Sequence, residues 1–122
     1  MRGVSARPPK GIGVDLVDLS RARRFVRAHR SRLNSFFLPA ECRIVARSAF
    51  PVRAFGVLFA AKEAVSKSLG VPVRHPGQLR DFEIRVRAGR MEGRWRKGKK
   101  ARRALLWPFS AGDSIGVLAL AL

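Results

Sequence analysis

The chain has 122 residues, 47% of them hydrophobic, which is enough for one buried core and too few for two domains of ordinary size. Its longest apolar run, Ile115 to Leu122, falls well short of the ~20 residues that cross a bilayer, so no membrane association is expected and the expected location is the cytoplasm. Lysine and arginine number 26 against 8 acids, a formal net charge of +18, which points to an anionic partner (nucleic acid, anionic lipid or an acidic protein) without choosing among them.

Residues 1–10 carry Arg2, Arg7 and Lys10 but no apolar segment that would make a signal core, and they are read as a disordered basic tail ahead of a single domain over 11–122. The lone cysteine, Cys42, has no intrachain partner and is read as a structural thiol. From Gly11 to Val17 apolar residues alternate with glycine or acid, which predicts a short strand with one buried face. That strand puts Asp15 on the face opposite Ile12 and Val14, near its exit. Asp18 or Ser20 can then cap a helix running to about Arg30. In it Leu19, Ala22, Phe25 and Val26 form an apolar stripe, and arginines fill the remaining faces.

Pro39 suits the first turn of a short second helix with Ile44 and Val45 inward, and Pro51 opens a longer helix that Gly70 and Pro72 stop after Leu69. Phe55, Leu58, Phe59, Val65 and Leu69 recur at helical spacing there and are expected in the core. Phe82, Ile84 and Val86 alternate with charged residues and predict a strand with one wet face. The very basic segment Arg90 to Arg103, around Trp95, fits a hairpin or a short helix, and Ser114 to Leu122 reads as a strand buried on both sides.

Chemistry concentrates in Phe59-Ala60-Ala61-Lys62-Glu63-Ala64, with Lys67 and Gly70 following. Glu63 and Lys67 lie one helical turn apart on a common face, which on its own also describes a surface ion pair. Three alanines keep the helix slim beside Glu63, so another backbone or a ligand can approach it closely.

Together with Gly11-Ile12-Gly13-Val14-Asp15, Arg21 and Leu38-Pro39-Ala40-Glu41, this block resembles the holo-acyl-carrier-protein synthase family of 4'-phosphopantetheinyl transferases in order and spacing. The resemblance covers residues 11 to 70 well and extends to Asp81-Phe82-Glu83-Ile84. It implies an α+β fold in which a small antiparallel sheet packs on the long helix. It also implies a homotrimer and transfer of phosphopantetheine from coenzyme A to a serine of an acidic acyl carrier protein, with adenosine 3',5'-bisphosphate released.

Asp15 and Glu63 are implied as ligands of a divalent metal, magnesium in the family, which suits an ion that takes few protein carboxylates and fills its octahedron with water and phosphate oxygens. Lys67, and with less support Lys62, would contact the phosphates of coenzyme A. Glu63 or a metal-polarised water would take the serine proton, and Arg21, Arg24 and Arg27 would meet the acidic carrier. Two departures from the family pattern stand out: Leu58 where an arginine is usual, and Phe109 at the apparent place of a histidine. His29 and His75 match neither position and are expected to be solvated. Two other readings stay open: a divergent homologue that binds coenzyme A or a carrier with little turnover, and a nucleic-acid-binding module built on Arg90 to Arg103 with Trp95.

Overall fold

The computed structural model describes residues 11–122; the basic tail expected over residues 1–10 lies outside them. Strand β1 (Gly11–Asp18) leads into helix α1 (Leu19–His29), a 3-10 segment over Arg30–Ser35, helix α2 (Pro39–Arg47) and the long helix α3 (Pro51–Leu69). A second 3-10 segment, Pro76–Asp81, precedes strands β2 (Phe82–Arg87), β3 (Arg90–Lys97), β4 (Lys100–Ala111) and β5 (Ser114–Ala121). The five strands form one antiparallel sheet in the order β1-β5-β4-β3-β2, so the first and last strands of the chain pair along its far side. The fold is α+β, with α3 laid across the sheet, as the family resemblance implies.

Local chemistry accounts for most boundaries. Asp18 rather than Ser20 caps α1, its carboxylate accepting from the Arg21 amide at 2.6 Å; that bond and one from the Ser20 hydroxyl lower its pKa. Proline opens both α2 and α3, and Gly70, in the left-handed region at φ 68°, closes α3. The basic segment forms the β3–β4 hairpin around Gly98, φ 61°, so the hairpin alternative holds and the helix does not.

The core lies between α3 and the inner face of the sheet, with Phe55, Leu58 and Val65 of the helix packed with Phe82, Ile84, Leu106 and Val117. Leu58, at the position where the family usually has arginine, is part of this core. Trp95 also packs on this face, paired with Phe82, so it does not stand among the arginines as a platform for bases. Ile44, expected to face inward from α2, is exposed, and His29, expected in solvent, packs against Phe25 with ring centroids 4.4 Å apart.

The other face of the sheet is divided. Over β2 and β3 it carries charge, with Arg103 gripping Glu92 through both carboxylate oxygens. Over β1, β5 and the end of β4 it is apolar: Ile12 pairs with Leu120, Val14 with Leu118, and Trp107 with Leu118 from the other side. Ile12 is 62% exposed, Val14 44%, Leu16 54%, Trp107 46% and Phe109 42%. The side of β1 that the alternation marked for burial is therefore the outward one, and β5 is fully buried only on its inner side, with Leu118 and Leu120 half-buried.

Candidate active site

On the inner face β1 presents Gly11, Gly13, Asp15 and Val17 to α3. A Cβ at Gly11 would lie 2.1 Å from the carbonyl oxygen of Ser68, and one at Gly13 would lie 2.2 Å from that of Ala64. No other residue type fits there. The strand rests backbone to backbone on the helix, which is why Ala60, Ala61 and Ala64 are small. This close approach carries Asp15 to the face of α3 that bears Glu63 and Lys67.

Asp15 and Lys67 are in direct contact, and Glu63 lies near both. Lys67 Nζ donates to Asp15 Oδ1 at 2.8 Å and to the Val14 carbonyl at 3.2 Å. Glu63 stands one turn earlier on the same helix face. Burial, and after it the negative charge of Asp15, push the Glu63 pKa up, while Lys67 and Arg21 oppose the shift. The carboxylates of Glu63 and Asp15 therefore lie close enough for one charge to act on the other, a placement that could accept a cation.

Glu63 also lines a cavity of about 280 Å3. Its floor is aromatic, from Phe25, Phe55 and Phe59, with Phe25 and Phe55 stacked at 5.5 Å. Arg21 projects into it from α1, and the segment after α3 supplies Arg74, His75 and Leu79. His75 is exposed, as expected, and stands at the wall of the cavity beside Arg74. Neither Arg74 nor His75 carries a sequence signal, because the 3-10 segment that follows them fixes their place. Arg24 and Arg27 are exposed on α1 and, at spacings of three from Arg21, continue its face along the helix.

Lys62 corrects an expectation. The resemblance implies phosphate contact for Lys62, but the side chain is 0% exposed and its ammonium pairs with Glu41 at 2.7 Å. It donates as well to the carbonyls of Leu79, at 2.8 Å, and Phe82, at 2.5 Å. One residue along a helix turns the side chain by about 100°, so the neighbour of Glu63 points into the core rather than to the cavity.

Asp15 and Glu63 suit a hard divalent cation. The Lys67 ammonium already sits on Asp15 as a cation would, and both donors are carboxylate oxygens. Among the described residues there is no group of three or more metal-ligating side chains, so most of an ion's coordination would come from water and a bound anion. That pattern matches magnesium, which keeps several waters and binds through one or two carboxylates plus phosphates, and not a structural zinc site with four protein ligands.

The chain is similar to several known proteins. A holo-[acyl-carrier-protein] synthase of Syntrophus aciditrophicus is 40% identical over 76 residues, covering 62% of this chain and 59% of that protein. One from Rhodopseudomonas palustris is 36% identical over 104 residues, covering 80% of this chain and 75% of its own. The chain spans about six-tenths of the length of several such relatives. In fold it resembles the crystal structure of the Helicobacter pylori holo-[acyl-carrier-protein] synthase in complex with coenzyme A, with a TM-score of 0.71 at 21% identity over 91% of this chain and 99% of that one. A family model matches residues 11–120, which identifies the chain as a member of the 4'-phosphopantetheinyl transferase superfamily.

Proposed function

We propose that this protein transfers the 4'-phosphopantetheine group of coenzyme A to a serine of an acidic acyl carrier protein, leaving adenosine 3',5'-bisphosphate. The observation that carries the reading is the convergence of Asp15, from a strand, with Glu63 and Lys67, from one face of a helix. Three groups so placed suit a diphosphate held with a cation. The names of the relatives support the same activity, and one structural neighbour was crystallised with coenzyme A.

In this reading Asp15 and Glu63 hold magnesium, which when bound supplies electrostatic stabilisation to the diphosphate. Lys67 leaves its pairing with Asp15 to neutralise charge on the phosphate oxygens of the departing group, so catalysis is positional and electrostatic rather than covalent. Glu63, with its pKa raised by burial, is suited to accept the serine proton when a hydroxyl is brought to the cavity. Arg21, Arg24 and Arg27 present a cationic helix face to the carrier, and Arg21 extends that face to the cavity itself.

A homotrimer completes the reading. Ile12, Val14, Leu16, Trp107 and Phe109 form an exposed apolar face on the sheet, which association with further copies would remove from water. Phe109 lies over Gly116 on this face, where any Cβ would strike its ring, so the residue at the family's histidine position contributes apolar surface. Incubation with coenzyme A, magnesium and an apo carrier protein, followed by mass spectrometry of the carrier, tests the activity. The carrier gains one phosphopantetheine if the reading holds, and an unmodified carrier under all metal conditions rejects it.

A further inference from the structure

The pair Lys62–Glu41 is wholly buried, at 0% and 1% exposure. An ammonium has three N–H donors, and all three are used: on Glu41, on the Leu79 carbonyl and on the Phe82 carbonyl. The ring of Phe37 lies beneath, 5.1 Å from Nζ to the centroid. Glu41 in turn accepts from the Leu38 amide at 2.8 Å and from the Ile84 amide at 2.8 Å. One ion pair therefore ties together the start of α2, the middle of α3, the 3-10 segment and the first strand after it.

A buried pair of this kind is a poor way to gain stability, since apolar side chains of the same volume often do as well or better. What it supplies is direction. Both carbonyls that Lys62 grips flank the end of the 3-10 segment, and one of them belongs to Leu79, which lines the cavity. Glu63, next in the chain, faces that cavity from the adjoining side of the helix.

We propose that Lys62 and Glu41 are positioning residues for the reaction: the pair holds the wall over 73–79, with Arg74 and His75, at a set distance from Glu63. On this account the Lys-Glu dipeptide works as a unit, one residue placing the acid and the other the opposing wall. The proposal rests on the transferase reading for what fills the cavity, but the tether itself does not depend on that reading.

The test compares Lys62→Met, Glu41→Gln and the double variant with the parent protein. Lys62→Met leaves Glu41 buried without a counter-charge and melts well below the parent, whereas Glu41→Gln/Lys62→Met carries no buried charge and recovers most of the loss. Both variants expose the Arg74 and Gln78 amides to faster hydrogen exchange, because the segment that holds them is released. Both raise the KM for coenzyme A about tenfold with kcat nearly unchanged, since the wall binds and does not react. A double variant with parental exchange over 73–79 and parental KM overturns the proposal and leaves a purely structural pair. If the parent itself transfers nothing, the transferase reading fails while the exchange measurement still decides the tether: unchanged protection rejects it, faster exchange upholds it.

Discussion

Lys67 Nζ sits 2.8 Å from Asp15 Oδ1, joining the middle of β1 to the last turn of α3. The lysine is half exposed, so its contribution to stability is small, below about 1 kcal/mol for a pair of this type. Its value lies in being a mobile cation beside two acids. Lys67→Met is expected to fold and melt like the parent while losing about a hundredfold in transfer rate, the scale for removing one charge-stabilising donor from a reaction centre. A thermal melt and a carrier-modification assay on the same preparation check both halves.

Glu63→Gln separates function from stability. Burial first and Asp15 second raise the Glu63 pKa above that of an ordinary glutamate. A carboxyl whose pKa rises on folding favours its protonated form in the native state, so its stabilising contribution is complete below the unfolded-state pKa. That contribution is lost as pH rises through the folded-state pKa. At neutral pH the ionised side chain is therefore a burden that glutamine lifts. Glu63→Gln is expected to melt higher than the parent at pH 7 and to match it at roughly pH 3, while metal-dependent transfer is lost at both. Melting curves at the two pH values decide it.

Gly13→Ala tests how the strand meets the helix. Its Cβ would lie 2.2 Å from the Ala64 carbonyl oxygen and 2.9 Å from the Lys67 Cβ, so β1 must move off α3 and take Asp15 with it. A loss of about 1–3 kcal/mol is expected from the overpacking. Titration with Mn2+, observed by electron paramagnetic resonance, should show binding weakened well beyond what the altered melting temperature explains.

Val14→Asp places a charge in the middle of the apolar sheet face. A trimer in the parent and a monomer in the variant are expected by light scattering. An apolar face that does not associate would instead give a monomer in both.

Replacing Arg21, Arg24 and Arg27 together by glutamate reverses one helix face without touching the core. The KM for an acidic carrier is expected to rise by at least about tenfold, and the gap should narrow as salt shortens the screening length below ~10 Å. Kinetics at two ionic strengths measure this.

Proline, glycine and capping residues act locally, so the element order is readable in the sequence, whereas the approach of Asp15 to α3 is implied only by the family resemblance. The face of β1 was read the wrong way round for a physical reason. Apolar side chains mark the side that is apolar, and here the packed side is packed by bare backbone at Gly11 and Gly13, which leaves no hydrophobic signal. The family resemblance implies, with less support than for Lys67, that Lys62 contacts phosphate. Its true partners are Glu41 and two carbonyls whose positions follow from a 3-10 turn that no periodicity announces. The same turn sets Arg74 and His75 in the cavity wall.

The contact of Gly11 and Gly13 with the carbonyls of α3 has a consequence for how this protein can change over time. Backbone atoms are the same in every sequence, so the spacing between the two acid-bearing elements is indifferent to which side chains fill the interior elsewhere. Phenylalanines, leucines and valines can be exchanged around it by drift while Asp15 and Glu63 stay in register. A single methyl group at the crossing would undo what many larger replacements leave intact.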